Sequence, residues 1–282
     1  MQRERVSENV YWFQSEIYAQ VTAGVVLGTD WAVVVDTLAM PEETLAMRSF
    51  VEEELKVPVR YVINTHYHAD HTWGNCFFPG ATVVSSALCR QLMSERGIPA
   101  LEETRHSNPV FKQVKIVLPH LTFETGNMSL TVGKKRLMLF STPGNSPDGI
   151  SILVEEDRVL FAGDAFMPIP YIVDGDYEQL RQTMIRIGEM GLENIVQGHG
   201  DIILRGEVGG IIEENLQYLS DVHKAAKMAT RRRHPYEALQ KVDVESCGKS
   251  RVYLEGLAED LHQRNMRSLY LKMKEEKEAA KK

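Results

Sequence analysis

The chain has 282 residues, 43% of them hydrophobic and 25% charged, with a formal net charge of −7. That is an ordinary soluble globular composition, enough for one large domain with an appendage or for two medium ones. No apolar run approaches the roughly 18–20 residues that a bilayer-spanning helix needs, so no membrane segment is expected.

The opening MQRERVSENVYWFQ has charges but neither an apolar h-region nor a small-residue cleavage site, so no signal peptide is read. Cys76, Cys89 and Cys247 are odd in number and widely spaced, with no CxxC pair. That usage fits a reducing compartment, and the expected location is cytoplasmic. Lys224 to Lys282 carries 15 Lys and Arg against 9 Asp and Glu, a balance of +6 that leaves −13 on the rest. A basic tail raises nucleic acid or anionic lipid as partners. Apart from Arg231-Arg232-Arg233, however, the bases are interleaved with acids, which favours a solvated helix docked on the acidic body. Neither nucleic acid nor membrane is therefore the expected partner.

In chain order, VYWFQ, QVTAGVVLGT and WAVVVDT read as strands joined by turn-prone residues. PEETLAMRSFVEEEL reads as a helix opened by Pro41. VPVRYVIN is a strand that ends directly in THYHADHTWGN. ATVVSS is another strand, and ALCRQLMSERG a helix closed by Gly97. Residues 98–120 have no strong period and are expected to form a loop or short helix over the site. MSLTVGKKRLMLFST is a hairpin turning at Gly133, and GISILVEEDRVLFAGD a second one turning near Glu156-Asp157. YEQLRQTMIRIGEMG is an amphipathic helix ended by Gly191, and ENIVQGHG a short strand stopping on His199. From Gly209 the chain reads helical, interrupted around Pro235, and its Lys/Glu/Ala terminus is expected to fray.

Three strands thus end in residues able to bind metal: His66 to His71, Asp164, and His199. HYHADH alone places His66, His68, Asp70 and His71 within six residues, and imidazole and carboxylate are the usual ligands of zinc and similar ions. Residues two apart in extended backbone point the same way, so His66 and His68 can grip one ion while Asp70 and His71 face a neighbour. Asp164 in FAGDAF and His199 in GHG are each weak signals, a turn aspartate and a loop histidine. Both gain weight beside the first cluster, and the flanking glycines of His199 allow close backbone approach. No GxSxG nucleophile and no phosphate-cradling glycine loop is present.

With THYHADHTWGN, a TPG loop, LFAGD and GHG in that order, the chain resembles the metallo-β-lactamase superfamily of metallohydrolases from roughly Val10 to Ile203. The resemblance implies an α/β fold, an αββα sandwich with the site along one edge of its sheets, over residues 1–208. Residues 209–282 would then be a helical C-terminal extension packing on that domain or capping it. It also implies two divalent ions, zinc by preference, the first held by His66 and His68 and the second by Asp70, His71 and His199, with Asp164 bridging. The remaining first-site ligand of the family is the histidine of TPGH, and here that position is Asn145. A carboxamide oxygen is a weaker ligand suited to harder ions. Three readings stay open: a weakened first site, weak or empty of metal; a natural site tuned to another metal pair; or a variant whose parent carries histidine.

A divalent ion lowers the pKa of its water toward about 7 and supplies hydroxide at neutral pH. The expected activity is therefore metal-dependent hydrolysis of an ester-type bond in a small molecule (lactone, thioester, ester or phosphodiester), with Asp70 orienting the nucleophile and moving its proton. His68 argues against the diiron redox relatives, and the chain has no room for the large insertion of the RNA-processing ones. The bridging Asp164 looks more like the glyoxalase II and lactonase branch than the zinc β-lactamases. Candidate substrate contacts are Tyr171 and Asp174 in MPIPYIVDGD and, in the helical tail, His262, with Tyr253, Asn265 and Tyr270 as further cap residues. VDGD reads equally as a turn, and the tail reads first as a sheet cover or a homodimer interface. A non-catalytic metal-binding member of the same fold is the alternative that Asn145 suggests.

Overall fold

The structure is a computed structural model and describes residues 1–279. Part of the terminus expected to fray, residues 280–282, lies outside the described residues, and the chain up to Ala279 is helical.

The first sheet has seven strands in sequential order: β1 (Gln2–Ser7), β2 (Val10–Gln14), β3 (Thr22–Leu27), β4 (Ala32–Val35), β5 (Val59–Ile63), β6 (Thr82–Ser86) and β7 (Leu121–Phe123). It is antiparallel from β1 to β4 and parallel from β4 to β7. The second sheet runs β13-β12-β11-β10-β9-β8, built from β8 (Met128–Val132), β9 (Lys135–Ser141), β10 (Ile150–Val154), β11 (Val159–Gly163), β12 (Asn194–Gln197) and β13 (Ile202–Leu204). Its first four strands are the two expected hairpins, and β11 pairs with β12 in parallel through a helical crossover.

Period-two alternation decides which side each residue covers. In β4, Val33 and Val35 enter the core between the sheets, while Val34 faces out. In β11, Phe161 points inward and Leu160 and Ala162 outward. The outer face of the first sheet packs on α1 (Pro41–Ser49) and the turn after it, through Met47, Phe50 and Val51. The outer face of the second sheet is covered by α5 (Tyr177–Gly188), α6 (Val208–Ala229) and α8 (Ala258–Ala279), through residues such as Met184, Leu219 and Met266. The layers are α, β, β, α, and the C-terminal helices share one core cluster with the second sheet.

The other helices are α2 (Ala69–Thr72) after β5, α3 (Ala87–Leu92) and α4 (Ile98–Ser107) between β6 and β7, and α7 (Pro235–Gln240). The helix expected to close at Gly97 does not close there. Gly97 stays right-handed at φ −66°, ψ −42°, and a single wide turn over Met93–Gly97 carries the chain into α4. Glycine ends a helix by turning left-handed, and this one does not. All three cysteines are free, and among the described residues no helix is long and apolar enough to cross a membrane.

The sheets are stitched together along one edge. Thr22 N–H donates to Gly198 O (2.9 Å), Ile150 N–H donates to Thr65 O (2.8 Å), and Val21 bridges His199. The ends of β5, β11 and β12 converge on that edge, which brings the chemistry-bearing residues together.

Candidate metal centre

Two groups of potential ligands lie there, His66, His68 and Asp164 in one and Asp70, His71 and His199 in the other, with the ligand atoms of each group within 4.8 Å of one another. Asp164 reaches both. Its Oδ2 lies 3.5 Å from His66 Nε2, and its Oδ1 lies 3.3 Å from His71 Nε2 and 3.7 Å from His199 Nε2. His199 Nε2 is also 3.4 Å from Asp70 Oδ2. Gly198 makes this approach feasible, because a Cβ there would sit 1.9 Å from Asp164 Oδ1.

The outer hydrogen bonds fix which nitrogen of each ring faces the site. Asp36, buried at the end of β4, accepts from Thr65 N–H (2.8 Å) and from the Thr65 hydroxyl (2.7 Å). With its proton committed to Asp36, Thr65 Oγ1 accepts from His66 Nδ1 (3.0 Å). His71 Nδ1 donates directly to Asp36 (2.9 Å), and His199 Nδ1 donates to Ala19 O (2.8 Å). All three rings therefore turn Nε2 inward. His68 is turned the other way, with Nε2 3.5 Å from Asp174 Oδ2 and Nδ1 only 2.9 Å from His66 Nε2.

This arrangement fits divalent ions. His66 Nε2 and His68 Nδ1 meet at 2.9 Å, a hydrogen-bond distance at which the two ring nitrogens share one proton. His71 Nε2 and Asp164 Oδ1 are buried without a hydrogen bond, which is costly for groups of their polarity unless something else satisfies them. The field has the matching sign. Burial pulls the His71 imidazole down, yet Asp164 and Asp36 raise it well above its ordinary value. His199 is likewise raised against its burial by Asp164 and Asp70. Burial and His71 together push His66 down. A cluster that stabilises protons on buried imidazoles stabilises a metal ion in their place.

Asn145 lies in the loop after β9 and is buried. Its Nδ2 donates to Tyr171 O (3.0 Å), and its Oδ1 has no hydrogen-bond partner. It shares a cavity of about 10 Å3 with His66 and Asp164.

The cleft over the cluster is about 590 Å3 and is bordered by Tyr18, Asp70, Tyr171, Leu257 and Arg264. Asp70 and burial push the Tyr18 phenol up to about 12, so it stays a donor. Tyr171 lies where a substrate contact was expected. Asp174 does not border the cleft. It accepts from Tyr67 OH (2.6 Å) and Arg96 (3.0 Å) and faces His68 from behind, so it orients a ligand. Burial opposes it, but His68, Tyr67 and Arg96 together hold the Asp174 carboxyl down at about 2. His262 is fully buried, between Tyr218 OH (3.2 Å) and Val242 O (3.1 Å), and cannot touch substrate. It packs the α6–α8 interface. Asn265 is also buried, donating to Pro170 O (2.7 Å) and accepting from Ile172 N–H (2.9 Å). Asp36 is the site residue that sequence reasoning missed. Its one signal was an aspartate ending WAVVVDT, a fourth strand end at the same edge. A larger cleft of about 790 Å3 between α6 and α7 contains neither ligand group.

Known proteins resemble this chain in sequence and in fold. Beta-lactamase-like protein 2 homolog of Caenorhabditis elegans is 21% identical over 186 residues, 66% of this chain and 56% of that one. Thioesterase pkgB of Emericella nidulans is 26% identical over 164 residues, 58% of this chain and 41% of that one. The chain spans about half the length of the curated relatives it matches. Among solved structures, a metallo-beta-lactamase family protein of Thermus thermophilus superposes with a TM-score of 0.70 at 17% identity, covering 96% of this chain and 95% of that one. A double mutant of the sec-alkyl sulfatase PisA1 superposes with a TM-score of 0.74 at 15% identity, covering 96% and 50%. The profile of one family, described as the metallo-beta-lactamase superfamily, matches residues 18–199, a span that opens at the cleft-lining Tyr18 and closes on His199. On that match, the chain belongs to the metallo-beta-lactamase superfamily.

Proposed function

We propose that the protein is a metal-dependent hydrolase of an ester-type bond in a small molecule, with zinc as the first candidate for its ions. The observation that carries the reading is Asp164, whose two oxygens face separate histidine groups beneath an open cleft. Divalent ions in such a site supply Lewis acidity and a water of pKa about 7. The residues around them do the remaining work. Thr65, Asp36 and Ala19 O hold the Nδ1 protons of His66, His71 and His199, so each ring keeps its ligating nitrogen aimed inward. Asp70 borders the cleft and stays ionised. Burial opposes that, but His71 and His199 hold its carboxyl well below the usual carboxylate range. The Asp70 carboxylate takes the proton of the attacking water and returns it to the leaving oxygen or sulfur. The protonated Tyr18 phenol is placed to donate to an oxygen of the substrate. Leu257 and Ile17 give the cleft an apolar wall for an acyl or alkyl group. The thioesterase named among the relatives makes thioesters the first class to assay.

The test is turnover of the zinc-loaded protein on a panel of thioesters, lactones, aryl esters and phosphodiesters. Hydrolysis lost on chelation and restored by zinc supports the reading. Two bound ions with no turnover on any member would leave the non-catalytic reading standing.

A further inference from the structure

We propose that Asn145 Oδ1 is itself a ligand of the first-site ion, so that the two sites are chemically unequal and fill in order. The inference rests on the metallohydrolase reading above and concerns what an amide does at a position where the superfamily carries an imidazole.

The orientation of the amide is fixed by its surroundings. Tyr171 O can only accept, so the prong that meets it at 3.0 Å must be the NH2, and the other prong must be the carbonyl. That carbonyl is buried without a donor, which costs about 1–3 kcal/mol if nothing answers it. Its cavity is lined by His66 and Asp164 and by the hydroxyl residues Thr65, Thr142 and Ser146. Thr65 gives its proton to Asp36 and Asp164 is an anion, so neither answers the carbonyl, whereas a cation held beside Asp164 would. The amide is also held from behind. Asn265 on α8 clamps Pro170 and Ile172 on either side of Tyr171, and Asp176 N–H donates to Gly144 O (2.8 Å), next to Asn145. The C-terminal helix thus sets the direction in which Oδ1 points.

The donor sets then differ. The second site has two imidazole nitrogens and two carboxylates, from His71, His199, Asp70 and Asp164. The first has two imidazole nitrogens, one shared carboxylate and one neutral amide oxygen. With one carboxylate fewer and a harder donor, it binds more weakly and discriminates less in favour of Zn2+ over Mn2+ than a histidine-containing site would.

The experiment titrates the chelator-stripped full chain with Zn2+, and separately with Mn2+, by calorimetry, with the Mn2+ spectrum read by electron paramagnetic resonance. Wild type is expected to show two steps separated by at least about tenfold in affinity. Asn145→Ala should weaken the second step by at least about tenfold, the loss typical of even an outer partner. Asn145→His should tighten it for Zn2+ more than for Mn2+. A weak step unchanged in a folded Asn145→Ala overturns the proposal and assigns Oδ1 to a water. Should that variant fail to fold, Asn145→Asp, which keeps an oxygen at the position, decides. A tightened weak step supports the proposal, and an unchanged one overturns it. No binding by wild type or by Asn145→His would instead sink the metallohydrolase reading, whereas two steps insensitive to Asn145 sink only this inference.

Discussion

Asp36 Oδ2 receives the Nδ1 proton of His71 across 2.9 Å, in a pocket where both side chains are buried. The same carboxylate also receives the hydroxyl and backbone N–H of Thr65, so one aspartate sets the tautomers of a ring in each ligand group. Replacing Asp36 with alanine should weaken metal binding by roughly 10–100-fold, as removal of outer-shell partners typically does. Metal content after dialysis against a weak chelator reads this directly. Unchanged content would mean that the two rings keep their orientation without Asp36.

Gly198→Ala should be nearly as damaging as Asp164→Ala. The added methyl would lie 1.9 Å from Asp164 Oδ1, and that carboxylate would have to leave its position between the two histidine groups. Loss of both ions in each variant, by elemental analysis, is the expected result. Retention of two ions in Gly198→Ala would show that β11 and β12 can separate there at little cost.

Metal removal should lower the thermal midpoint of the whole chain, because the ligands join the ends of strands from both sheets. A ligand at a hundred times its dissociation constant adds about 2.7 kcal/mol to folding stability. Thermal melts with zinc and with chelator should differ accordingly, and coincident melts would place the ions outside the folding equilibrium.

Asn265→Ala should cost about 1–3 kcal/mol, since it strands the Pro170 carbonyl and the Ile172 N–H in a buried setting. A chemical-denaturation midpoint measures the loss. Asn265→Asp keeps the acceptor for Ile172 but buries a carboxylate against Pro170 O, and should cost at least as much.

Lys249 is buried, with Nζ between Glu214 (2.7 Å) and Asn215 (2.6 Å), and burial pulls its pKa below 10.5. Between the folded value and 10.5 the unfolded chain holds more protons, so the lysine makes stability rise with pH across that window. Its penalty is present in full below the folded pKa and is relieved as pH climbs. Wild type should therefore gain on Lys249→Met as pH rises through that interval, in paired denaturation curves. Parallel curves would mean that the Glu214 contact already cancels the burial.

Much of this was legible in the sequence. Strands such as AVVV and VLFAG declare themselves by β-branched and apolar alternation, and HYHADH by four side chains able to bind metal within six residues. What escaped did so for physical reasons. β1, QRERVS, has the charges of a solvent-facing edge strand and therefore lacks the apolar signal by which strands are recognised. Asp36 looks like any turn aspartate until folding brings it to Thr65 and His71. His262 was marked by its residue type within the helical tail, and Asp174 by its place just beyond Asp164. Polarity reveals that a side chain needs partners, but only the packing reveals whether those partners are substrate, a ligand imidazole or a helix.

The seam between the sheets at Thr22–Gly198 and Thr65–Ile150 also orders events in time. His66 and His68 leave the ribosome long before Asp164 and His199, and Asn265, which steers the amide of Asn145, comes later still. A nascent chain can offer an ion only the HYHADH half of the nest. The first ligand group is whole only once Asp164 has been made and the second only with His199, so an ion held by either group would join after more than half of these 282 residues have been translated.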